Sequence, residues 1–152
     1  MFDDKTKERF EFLSGWLEQI KPPMWDFQWL NEMDIIHSGV HIARESTRPM
    51  GYPFDRGDAF NMQIPNPTTD FNFAIGLHEL GHIFGNRPDG LGASETDAWK
   101  WARENAPYWN EDMSKAAEVG LNTHLDHQVT RKDYIQFFQW LRSKDESGKA
   151  QE

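Results

Sequence analysis

Phe71, Ile75, Leu77, Leu80 and Phe84 mark an apolar helix between three good N-caps, Thr68, Thr69 and Asp70, and Gly85, a natural C-cap. Inside it stands His78-Glu79-Leu80-Gly81-His82. Residues four apart lie on one helix face about one turn apart, so both imidazoles can grip a single metal ion. Glu79, about 100° round the helix, then reaches the water that the metal activates. Phe71 and Ile75 lead onto the face of His78 and His82, which turns the histidines toward protein rather than bulk water.

The chain has no cysteine. A disulfide framework, a thiolate nucleophile and a Cys-ligated zinc or iron–sulfur centre are excluded, and any metal falls to His, Asp and Glu. The lack of cysteine also fits a reducing compartment. With 7 Trp, 11 Phe and 3 Tyr in 152 residues the chain folds rather than staying disordered, and its length suits one domain over residues 1–152. A net charge of −9 argues against nucleic acid or an anionic membrane as the main partner. No apolar run is long enough to span a bilayer and the first residues carry no export signal, so the expected location is the cytoplasm.

Around the metal helix the patterning predicts an α+β domain, mainly helical, with a small, largely antiparallel sheet. Phe10, Leu13, Trp16, Leu17 and Ile20 give a first helix, ended by Lys21-Pro22-Pro23. Residues 25–33, rich in aromatics, are expected to be helical or irregular packing. Residues 40–43 suit a short strand, and Phe60, Met62 and Ile64, alternating with Asn61 and Gln63, a strand with one buried face, a candidate sheet edge for pairing with a substrate. Ser94 and Asp97, then Thr130 and Asp133, open two further helices as capping boxes; another lies at 110–119, and residues 145–152 form a frayed polar tail.

A catalytic zinc needs three protein ligands and an open position. Asp89, Glu95 and Asp97 are the candidates for the third ligand. Glu95 has the longer reach on a helix that returns beside the first, whereas Asp97 has a competing role in the cap of Ser94. His124-Leu125-Asp126-His127 is a second histidine pair; His124, His127, Tyr108 and Tyr134 are candidates to steady an oxyanion. His37 and His41 suit the surface, and Ser38 and Ser94 lack the elbow motif of a serine hydrolase.

The run Leu77 to Gly85 resembles the active-site helix of zincin metallopeptidases, most of all the gluzincin-like ImmA/IrrE-type peptidases and the zincin domains of phage and mobile-element polyvalent proteins. The similarity covers residues 58–106 and includes the strand Asn61-Met62-Gln63-Ile64-Pro65 before the helix and the acid-rich run Glu95 to Ala102 after it. The register of that group points to Asp97 as third ligand, against the preference for Glu95 from reach. A matrixin-like pattern would put its third ligand at Pro88, which cannot bind zinc. The resemblance implies a cytoplasmic Zn2+-dependent peptidase of bacterial or phage origin, with a protein or peptide as substrate and Glu79 as general base. The alternative is a non-catalytic zincin-fold protein with a structural zinc and a Trp-rich surface for a partner.

Overall fold

The computed structural model describes residues 2–20, 24–31, 38–43, 59–85 and 93–150. Its elements are α1 (Asp4–Leu17), β1 (Met24–Leu30), β2 (Gly39–Ala43), β3 (Ala59–Pro65), α2 (Asp70–Phe84), α3 (Glu95–Asn105), α4 (Glu111–Thr123) and α5 (Arg131–Ala150). The helices begin where short polar side chains satisfy orphan amides. Asp3, Thr69, Ser94 and Asn110 accept from the N–H groups of Thr6, Asn72, Asp97 and Met113, and Thr130 Oγ1 accepts from Asp133.

Among the described residues the chain is mainly helical with one three-stranded mixed sheet, in the order β1-β3-β2. β2 runs antiparallel to β3, but β1 runs parallel to it, so the sheet is not largely antiparallel. Residues 25–33 were expected to be helical or irregular, yet Met24–Leu30 is a strand. Phe27 and Trp29 are half-buried while Asp26 and Gln28 are exposed, a period of two that the density of aromatic residues hides. β3 buries Phe60, Met62 and Ile64 as its alternation predicts, but it is the central strand, paired on both sides. It therefore cannot serve as an edge for substrate. α5 continues to Ala150, and Asp145 pairs with Arg103 of α3 at 3.3 Å.

α2 lies at the centre of the helices, with Phe73, Ala74, Leu77 and Leu80 fully buried. α3 crosses it so closely that a Cβ on Gly81 would stand 2.3 Å from the Ala98 carbonyl oxygen. Gly85 does end the helix, but with φ −73° rather than in the left-handed form. Small size is what matters there, since a Cβ would meet the Gly81 carbonyl at 2.5 Å. Tryptophan serves as packing: Trp99 is buried, and Trp16, Trp29, Trp101, Trp109 and Trp140 lie against the core. Among the described residues no helix is long and apolar enough to cross a membrane.

One polar knot ties α1 to the start of α2 and to the turn after α3. The buried Arg9 guanidinium donates to Asp70 Oδ1 at 2.8 Å, to Tyr108 Oη at 3.1 Å and to the Pro67 carbonyl at 3.3 Å. Tyr108 and Asn110 also donate to Asp70, at 2.7 and 2.9 Å. Burial pushes the Asp70 carboxyl up, but these hydrogen bonds and the charge of Arg9 outweigh it and hold its pKa down at about 2.

Two stability measurements check this architecture. Gly81→Ala, which forces α2 and α3 apart, is expected to lower the free energy of urea unfolding by about 3 kcal/mol; a loss below about 0.5 kcal/mol would show that the crossing is not tight. Asp70→Asn is expected to cost about 2 kcal/mol near neutral pH. A depressed carboxyl stabilises the fold above its unfolded pKa near 3.8, so the gap between wild type and variant is full above that value and closes as the pH falls toward about 2.

Candidate metal centre

The helical spacing of α2 puts His78 and His82 side by side, with ring centroids 4.6 Å apart. α3, drawn in by the contact at Gly81, brings Glu95 against both of them. Glu95 Oε2 lies 2.7 Å from His78 Nε2, and Glu95 Oε1 lies 3.3 Å from His82 Nε2. His82 Nδ1 donates to the Ala93 carbonyl at 2.8 Å, a bond that keeps the lone pair of a neutral ring on Nε2. His78 Nδ1 lies 2.9 Å from Glu79 Oε1, and its ring stacks on Trp99 with centroids 4.3 Å apart and planes 12° apart. Glu79 Oε2 is buried without a hydrogen-bond partner.

The cluster sets two carboxylates, Glu79 and Glu95, against the imidazoles of His78 and His82. Burial would push the His78 pKa down, but the charge and hydrogen bond of Glu79, joined by those of Glu95, raise it to about 9. Burial likewise pushes Glu95 up, but the hydrogen bonds and charges of His78 and His82 hold its carboxyl well below the usual carboxylate range. Such a site attracts a cation, and a proton on His78 and a divalent metal compete for the same lone pair.

His78, Glu79 and His82 each offer a ligand atom within 4.8 Å of the others, a group that can hold a metal ion. Glu95 adds a carboxylate directly on both Nε2 atoms. Ligand atoms of a tetrahedral zinc stand about 3.3 Å apart; Glu95 Oε1 and His82 Nε2 stand at that separation, while the 2.7 Å from Glu95 Oε2 to His78 Nε2 is a hydrogen bond that an ion would replace. Nitrogen and carboxylate donors in this arrangement can hold a metal ion. A cavity of about 500 Å³ opens in front of it, walled by Ser38, Gly39, Val40, Ser94 and His124 among others.

The other candidates from the sequence go elsewhere. Asp97 is about 200° round α3 from Glu95 and does not share its face; among the described residues it pairs with neither histidine, and its N–H bonds Ser94 Oγ at 3.2 Å. Asp89 and His37 lie outside the described residues, and His41 falls within β2. His124 reaches the site, with Nε2 3.9 Å from Glu95 Oε1. A tight turn aims it: the His124 carbonyl accepts from His127, Gln128 and Val129, and Asp126 takes φ 67°, a left-handed conformation that Asp tolerates. His127 is exposed and Asp126 bonds Arg131; among the described residues they form no ligand group with His124. Tyr108 belongs to the Arg9 knot and Tyr134 packs on Phe138.

Sequence reasoning missed three features of the site. Trp99 stands four residues after Glu95, a spacing that puts both on one face of α3 and could have flagged it. The Ala93 carbonyl and the Ser38 to Val40 wall carry no such signal, being products of how distant segments meet. No family model matches the chain, and neither a curated protein nor a solved structure matches it.

Metal analysis of purified protein checks the cluster. Wild type is expected to hold about one equivalent of zinc, His78→Ala essentially none, Glu95→Ala much less than one, and Asp97→Ala the wild-type amount. A full equivalent in His78→Ala would remove the assignment.

Proposed function

We propose that this chain is a zinc-dependent metallopeptidase of the zincin type, with His78, His82 and Glu95 as metal ligands and Glu79 as general base. One arrangement carries this reading: the Glu95 carboxylate lies across both Nε2 atoms while a buried oxygen of Glu79 has no partner. A purely structural site would have no use for that second acid beside an open cavity.

Zinc held by this set supplies Lewis acidity and brings the pKa of a water toward about 7. Glu79, which lines the cavity, would take the proton of the attacking water and return it to the amine as the C–N bond breaks. Glu79 Oε1 meanwhile accepts from His78 Nδ1, which orients that ring and favours coordination through Nε2. His124, at the rim of the cavity, is the residue best placed to donate to the oxyanion that develops on the peptide carbonyl. β2 replaces β3 as the strand to guide an extended substrate: it is an end strand of the described sheet, and Gly39 and Val40 line the cavity.

The partner is then a protein or peptide substrate and the compartment the cytoplasm, with a bacterial or phage origin suggested by the resemblance of the motif helix. The rival, a non-catalytic protein with a Trp-rich docking surface, draws less support, because the described tryptophans pack inward. Glu79→Gln is expected to keep its zinc and to cleave a co-expressed protein library about 10²- to 10⁴-fold more slowly than wild type. Equal cleavage by the two would take Glu79 out of the role of base.

A further inference from the structure

Trp99 is buried against the metal cluster, and its indole lies on the His78 imidazole with centroids 4.3 Å apart and planes 12° apart. Two neutral rings avoid such a stack, since offset or edge-on pairs at about 4.5–7 Å suit their quadrupoles better. A close, flat stack suits an electron-rich indole facing a ring that carries positive charge. The same turn of α3 supplies both the indole and Glu95, four residues earlier. His78 is thereby fixed twice over: its plane is set by Trp99, and its direction within that plane by Glu79 at Nδ1 and Glu95 at Nε2.

The indole is itself held by backbone. A Cβ on Gly120 of α4 would stand 3.1 Å from Trp99 Cζ2 and 3.3 Å from Nε1, so only a glycine lets α4 come so near. Tryptophan also carries a cost at this place. Its Nε1 is buried with no hydrogen-bond partner among the described residues, and an unmet buried donor costs about 1–3 kcal/mol. Phenylalanine would offer a flat ring without that donor. What tryptophan adds is the strongest π face for a cation.

We propose that Trp99 is a positioning residue of the metal centre: its π face holds the His78 ring with Nε2 toward Glu95 and His82, and stabilises the positive charge that the ring carries once Nε2 is bound to a divalent cation. The inference rests on the metal centre of the zincin reading and adds a residue to it. Coordination draws electron density out of the imidazole, which strengthens the stack. Trp99 touches neither the ion nor a substrate and acts through His78 alone.

Two experiments on the full chain test this. Trp99→Leu is expected to bind zinc at least about tenfold more weakly and to alter the visible absorption bands of the cobalt-substituted protein, while Trp99→Phe, which restores a flat ring, recovers most of both. Wild-type zinc affinity and cobalt bands in Trp99→Leu would overturn the positioning role. Monofluorotryptophan and difluorotryptophan at position 99 then drain the π face and leave the packing intact, so this series stays decisive where the other variants fail to fold. The unfolding constant of the zinc-loaded protein in urea is expected to rise stepwise along it, by at least about threefold in all. In His78→Phe, which keeps an aromatic ring and removes its charge, the same fluorination is expected to change nothing. An equal effect in both backgrounds, or none in either, overturns the role of the π face and leaves the metal centre standing. Wild type that takes up no zinc overturns the metal centre, and the inference with it.

Discussion

The close crossing of α2 and α3 is the contact on which the site depends. At Gly81 the two backbones meet with no room for a side chain, and Ala98 presents its carbonyl to the gap. Glu95 stands one turn before Ala98 and Trp99 directly after it, so the same approach lays a carboxylate over two imidazoles and an indole beneath one of them. Reciprocal bonds secure the crossing, since the His82 carbonyl accepts from the Ala93 N–H while His82 Nδ1 donates to the Ala93 carbonyl. A histidine of the motif is thereby oriented by the backbone that leads into the acid helix.

Geometry of this kind has an electrostatic cost. Two carboxylates and two imidazoles with little access to water repel or attract strongly, and Glu79 keeps one oxygen unbonded in a buried position. Such a cluster makes sense when a cation completes it, because the ion replaces the lost hydration of both acids. The Arg9–Asp70–Tyr108 knot is the contrasting case. There the buried charges have been satisfied within the chain, with Asp70 accepting from three side chains, and the result is a brace for the N-terminus of α2 rather than a site.

The histidine helix, its N-cap and the acid helix were legible because each depends on local rules: helical periodicity, a short polar residue before the first turn, and ligand spacing within four residues. β1 was not. Its aromatic residues at every second position suit a strand, but proximity in sequence to other rings made them look like irregular packing, and only pairing with β3 settles the matter. The direction of that pairing, and the central rather than outer place of β3, are set by contacts between segments far apart in the chain, which periodicity within one segment does not encode.

By itself the sequence determined the chemistry available: no thiol, two histidines one turn apart, an acid beside the first, and apolar residues continuing the same helix face. The tertiary structure decided which acid joins them. Glu95 and Asp97 are both carboxylates in one helical turn, and reach and register favour different ones. Because they differ by about 200° around α3, the crossing angle and depth of two helices choose between them, and those depend on a glycine in one helix meeting an alanine in the other.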